Sequence, residues 1–192
     1  MSSMDAHLSR TQCGANMRRY KTILLWVTTT FVAVFLGVWL YYVSIYFKDI
    51  YTLTACSQGQ VELIPKSLCQ AYLYNFRGTH DDVAEINHDG SLFEIISTTK
   101  KEDQSTLLEF LLKKGVDING LNERTGTSPL HAAVLGNDLE VVKLFLRYGA
   151  NPLIKDKQSN LTPLEFALKL KSKPSQPDRT AVIKLLELAK KS

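Results

Sequence analysis

The 192-residue sequence predicts an all-α protein, a solenoid of about four helix-turn-helix units preceded by one transmembrane helix. Three observations carry that reading. Two landmarks recur at one spacing: Thr162-Pro163-Leu164 follows Ser128-Pro129-Leu130 at the same interval at which Gly149 follows Gly115. Between the landmarks, apolar residues fall at helical spacing with turn residues at the breaks. The stretch Thr22–Phe47 contains no Asp, Glu, Lys, Arg or His anywhere along its length.

The clearest unit is Thr127–Asn151. Ser128 suits an N-cap, because its hydroxyl can accept from an orphan N–H one turn on, and Pro129 then takes the first helical position, where a missing N–H costs nothing. Asn137 tolerates a left-handed turn, and Asp138 can cap a second helix. The apolar positions of that helix, Leu139, Val142, Leu144, Phe145 and Leu146, lie mostly on one face. Gly149 ends it. A helix pair this small cannot bury its own apolar face and has to stack on a copy of itself.

The copies are visible. Thr162 and Glu165 are spaced as a capping box at the start of a later helix. Leu107–Asp117 anticipates the second helix of an earlier unit. A period of roughly 33 residues with a Thr/Ser-Pro-Leu-His element, Ser128-Pro129-Leu130-His131, resembles the ankyrin repeat, a hairpin loop followed by two antiparallel helices. That resemblance is specific at 123–154 and good for its neighbours. The second unit, opening at Gly90-Ser91-Leu92-Phe93, lacks the Pro and His.

In chain order, residues 1–21 carry no periodicity and are expected to form a disordered cytoplasmic tail. Residues 22–47 follow as the membrane helix. As a helix they are about 39 Å long, against roughly 30 Å of hydrocarbon, with Trp26 at one end and Trp39, Tyr41, Tyr42 and Tyr46 toward the other as interfacial anchors. The run is about twice a signal-peptide core, which favours a retained anchor. Arg10, Arg18, Arg19 and Lys21 precede the span, so the positive-inside rule places the N-terminus in the cytoplasm and everything from Lys48 onward outside. The net charge of +4 sits largely ahead of the span, and no basic patch asks for nucleic acid.

Residues 48–66 are read as a juxtamembrane segment in which the membrane helix continues a turn or two through Ile50, Tyr51 and Leu53. The repeat domain then occupies 67–192. Its first unit is degenerate, with Leu68–Tyr74 as a first helix and a second opening at Asp81 and ending near Asn87. Lys100–Asp103 fills the turn between the helices of the second unit. The fourth unit has a long inter-helix loop carrying Pro174 and Pro177, and its last helix acts as a cap. Cys13 falls on the reducing side, whereas Cys56 and Cys69 fall outside, where they can form a disulfide. Leu53-Thr54-Ala55-Cys56 also has the residue types of a lipidation box, and two buried thiols are a third alternative.

No constellation for catalysis, phosphate binding or metal binding is present, so neither an enzyme nor a cofactor is expected. His131 is expected to hydrogen-bond within the repeat turn. Asn160-Leu161-Thr162, formally a glycosylation acceptor, belongs to that turn too. What remains is a surface for another protein, with no small-molecule substrate. The ankyrin resemblance places protein-binding positions on the hairpin tips and first helices: Arg124, Thr125, Thr127 and Leu135 in the third unit, and Gln158, Ser159, Leu161 and Lys169 in the fourth. His88, Asp89, Phe93 and Glu94 are weaker candidates in the second. An outward-facing array fits a bacterial inner-membrane protein with its repeats in the periplasm. Small proteins of that kind resemble immunity proteins that neutralise a secreted toxin, such as a lipase of a type VI-like system. A membrane scaffold or adaptor organising partner proteins is the alternative.

Overall fold

The computed structural model describes residues 3–61, 64–172 and 177–191, which form ten helices and no strand. Pro174 and the side chain of Cys13 lie outside the described residues. The chain divides into two compact units, residues 1–48 and 49–192.

The first unit is one helix, α1 (Ser3–Lys48). The helix begins well before the apolar run, where a disordered tail is expected from sequence; the stretch ahead of Thr22 contains no Pro and a single Gly, so nothing in it stops a helix. Ile23–Tyr42 is long and apolar enough to cross a membrane. Its threonine hydroxyls make no demand on the surroundings, because Thr28, Thr29 and Thr30 donate to carbonyls one turn back at 2.9–3.0 Å.

The second unit holds α2 (Ile50–Ser57), α3 (Lys66–Phe76), α4 (His80–Asp89), α5 (Leu92–Thr98), α6 (Lys101–Lys114), α7 (Pro129–Gly136), α8 (Leu139–Arg147), α9 (Pro163–Lys171) and α10 (Thr180–Ala189). Two rows run through it. An inner row stacks α2 on α5, α5 on α7 and α7 on α9. The outer row is α3, α6, α8 and α10, tied by a T-shaped contact between Tyr74 of α3 and Phe110 of α6 at 5.0 Å and by packing of α10 on α8.

The first helix pair is therefore α2–α3, not the expected pair beginning at Leu68. Asp49 explains the difference. Its carboxylate accepts from the backbone N–H groups of Tyr51 and Thr52 at 3.2 Å, so α1 stops at Lys48 and a new helix starts at Ile50 instead of α1 running on. Ile50, Leu53 and Cys56 are fully buried, and a disulfide joins Cys56 to Cys69 of α3 with the Cα atoms 5.8 Å apart. The segment read as a juxtamembrane linker is thus a core helix of the array. The helix expected to complete the first pair, α4, instead sits where other units have their hairpin loop.

Lys101–Asp103 is likewise helical, forming the first turn of α6, which is several residues longer than α8. The step from the buried set Leu92/Ile95/Ile96 to its counterpart Leu130/Ala133/Val134 is longer than the step from Gly115 to Gly149. The excess is about four residues, close to one helical turn, which leaves the buried face in register.

The remaining ends follow their local chemistry. Ser128 caps α7, with Pro129 at its first position, and Asn137 takes the left-handed conformation at φ 55°. Asp138 caps α8. Thr162 and Glu165 form the capping box of α9, with the Glu165 carboxylate accepting from the Thr162 N–H at 2.8 Å. The α7 C-terminus is closed differently. Arg179, 2% exposed, donates to the Val134 carbonyl and, at 3.0 Å, to that of Leu135, so a cation meets the negative end of the helix.

Candidate functional site

The loops that precede the inner helices stack into a ladder. In the loop before α7, the Asn122 side-chain oxygen accepts from the N–H groups of Arg124 and Thr125 at 2.8 and 2.9 Å, and the Asn122 N–H donates to the Thr127 carbonyl at 3.0 Å. One repeat on, Asp156 does the same for Gln158 and Ser159, and its N–H donates to the Leu161 carbonyl at 3.0 Å. Burial of the Asp156 carboxyl raises its pKa, but the backbone N–H groups of Ser159, Leu161 and Gln158 outweigh that and hold it below the ordinary carboxylate range. Adjacent rungs join where Lys157 N–H donates to the Gly126 carbonyl at 2.9 Å. The first rung is the end of α4: Asn122 Nδ2 donates to the Asp89 carbonyl, and Glu123 N–H to that of His88 at 3.2 Å.

His131 locks one rung to the next. Its ring is fully buried, with Nδ1 2.8 Å from the Ser128 hydroxyl and Nε2 3.0 Å from the Leu161 carbonyl. A carbonyl can only accept, so Nε2 carries the proton and Nδ1 accepts from Ser128. Burial pushes the His131 pKa down, and the ring is neutral. Phe166 covers it edge-on at 5.9 Å. His131 is thus structural, as expected for its place in the turn, and not a base.

Between the ladder and the inner helices lies a groove of about 280 Å³. Arg124, Thr125, Thr127 and Leu135 line it together with Asp89, Phe93 and Glu94 of the preceding unit. Leu135 is 55% exposed, and the Thr125 and Thr127 hydroxyls bond each other at 2.7 Å. The second set of expected positions is not part of this groove. Gln158, Ser159 and Lys169 are exposed further along the array, and Leu161 is half-buried with its carbonyl committed to His131. Phe166 and Asn122 line the groove and are not singled out by the sequence. Phe166 stands one repeat after Ala132, another lining residue that the sequence does not single out.

The groove is mixed in charge. His88, beside it, lies 2.9 Å from the Asp89 carboxylate and 3.2 Å from that of Glu123, and these two raise its pKa above the ordinary imidazole value, Asp89 more than Glu123. Arg124 opposes them. Among the described residues, no cluster of His, Cys, Asp and Glu is placed to hold a metal ion.

Residues 95–187 match the family model for ankyrin repeats in three copies. The chain is similar to an ankyrin repeat protein of Fowlpox virus (strain NVSL), 32% identical over 94 residues, covering 49% of this chain and 12% of that protein. It is also similar to the human 2-5A-dependent ribonuclease, 36% identical over 73 residues, with 38% of this chain and 10% of that enzyme covered. The I-Kappa-B like protein C2 of Microplitis demolitor bracovirus is 36% identical over 77 residues, covering 37% of this chain and 42% of that protein. In each case the chain spans less than half of the relative's length. These relatives are viral and human. Residues 95–187 of this chain are ankyrin repeats, the kind of unit that serves as a protein-interaction module.

Proposed function

We propose that this chain is a membrane-tethered binding module that captures a protein on the outer face of the cytoplasmic membrane. The observation that carries the binding reading is the groove. Three inner helices and their loop ladder hold Arg124, Leu135, Phe93, Glu94 and Phe166 around one depression. Large apolar side chains and arginine make effective interface anchors. Leu135 and Phe166 can seat an apolar side chain of a partner, while Arg124 and Glu94 orient its polar flanks.

Three features support the tether and its direction. Ile23–Tyr42 has the length and composition of a span. The basic flank precedes it. The Cys56–Cys69 disulfide belongs to an oxidising space. A protein that arrives in that space fits as the partner, and neutralising a secreted toxin in the periplasm is the specific role we propose. Four units cover on the order of 1,000 Å² of contact, the low end of specific interfaces.

The test is a pull-down with full-length chain from detergent-solubilised membranes, wild type beside Leu135→Arg. A partner retained by the wild type and lost by the variant supports the binding reading, and equal recovery by both removes it. A tag after Ser192 reports the side: accessibility from the cytosol alone would withdraw the outward placement and the toxin with it. If the partner proves to be a resident membrane protein, the scaffold reading replaces immunity.

A further inference from the structure

The first helix pair of the array carries an apolar stripe. In α3 the face bearing Cys69 and Leu73 is fully buried against α2 and fixed there by the disulfide. Tyr74 points along the array to Phe110 of α6. Leu68, Tyr72 and Phe76, each one helical turn from the next, follow one another along the helix surface on the side away from Tyr74. Leu68 and Phe76 are exposed and Tyr72 is half-buried between them, on the first helix pair of the array. Phe76 is 67% exposed, Leu68 42%, and the Tyr72 and Phe76 rings touch at 5.3 Å. From Ser67 to Phe76 the helix has no charged residue.

A terminal unit of a solenoid needs a polar outer face to stay soluble. By contrast with the α3 stripe, α10 sets its exposed Leu188 among exposed charges, Lys184 and Glu187 within the helix and Lys191 just after it. What distinguishes α3 is its place in the chain: one residue, Asp49, separates the end of α1 from the start of α2, and α2 is the partner of α3. If α1 crosses a bilayer, this first pair is held close to its surface.

We infer that the Leu68–Tyr72–Phe76 stripe of α3 rests in the lipid interface, so that the array is seated on the membrane as well as tied to it. The inference relies on the membrane tether proposed above. Aromatic and leucine side chains are the ones that partition into the boundary between headgroups and acyl chains. Lipid cover supplies the apolar neighbour that a preceding repeat supplies elsewhere in the array.

The test places a tryptophan at the stripe in the full chain. With Trp26→Phe and Trp39→Phe as background, Phe76→Trp is compared with Leu188→Trp in liposomes of phosphatidylcholine brominated near the headgroup end of the acyl chains. Leu68→Trp is a second probe in case the first disturbs α3. Trp at 76 is expected to lose about half its fluorescence or more, as for a ring about 5–10 Å into the boundary, while Trp at 188 keeps its own. If the protein does not float with the liposomes, the tether reading fails and the stripe proposal goes with it. If it floats and both stripe probes are untouched by bromine but quenched by acrylamide, the stripe lies in water and only this proposal falls. If neither agent quenches them, the stripe is covered by protein, such as a second copy of the chain, and again only this proposal falls.

Discussion

At the scale of single residues, the array depends on a few polar side chains with no freedom left. His131 is the clearest, since both ring nitrogens are committed and the ring is fully buried. Its folded pKa lies below the unfolded value of about 6.5. The unfolded chain therefore binds the proton more readily, and stability falls as pH drops through the unfolded value toward the folded one. Urea melts between pH 7 and pH 5 are expected to show that fall, and His131→Gln to flatten this component while costing about 1–3 kcal/mol at pH 7. Asp82 acts in the same sense at lower pH. Burial raises its pKa, but the Arg77 guanidinium and the Thr79 N–H bring it below the ordinary range, so its contribution is present above about pH 4 and is lost as pH falls through the folded value.

Gly90 is a second residue with no substitute. It closes α4 at φ 58°, and a Cβ there would stand 2.5 Å from the Asn122 Cβ, at the rung that joins α4 to the ladder. Gly90→Ala combines a left-handed strain with that overlap and is expected to cost about 1–3 kcal/mol. Thermal denaturation measures the loss, which should exceed that of Gly37→Ala, a position where a Cβ meets nothing within 4 Å.

At the scale of elements, the first pair is the one that needs a covalent link. The short α2 helix is joined to α3 by a disulfide that spans 13 positions of sequence. A loop of that size is worth roughly 3 kcal/mol of chain entropy. The double variant Cys56→Ala/Cys69→Ala is expected to lose about that much, with hydrogen exchange rising first in α2 and α3 and least in α7 and α8. Uniform loss of protection across all units would show that the pair is not a separate element. The extra turn of α6 makes the complementary point: an insertion of about one turn is tolerated because it returns the chain to nearly the same helical face.

At the scale of the whole molecule, the ladder and the inner helices hold the Leu135 and Arg124 side chains without using them for stability. Leu135 and Arg124 are exposed. Leu135→Arg and Arg124→Glu are each expected to leave the melting temperature within about 3 °C of wild type, a change of under about 1 kcal/mol. Each should weaken partner binding by about tenfold or more, or ~1.4 kcal/mol. Titration of the purified partner by calorimetry, with the thermal melt of each variant beside it, separates loss of the site from loss of the fold. Lys169→Glu, beyond the groove, should change binding less than either.

The repeat was legible because each of its signals is local. Ser128, Pro129, Asn137, Asp138 and the Thr162–Glu165 pair state where helices start and stop through hydrogen bonds reaching no more than one turn, and the charge-free run from Thr22 to Phe47 states its length and apolarity directly. Arg124, Thr125, Thr127 and Leu135 are pointed to by the ankyrin resemblance, and all four line the groove. Which helices pair could not be read this way. Asp49 looks like a minor charge after a long apolar run, and only the fold shows that it caps a helix whose partner is α3 and leaves α4 to stand in for a loop. Burial is a property of neighbours distant in sequence: Arg179 is buried on the carbonyls of α7 and Phe166 is turned onto His131 because stacking brings them there, and no local pattern records that contact.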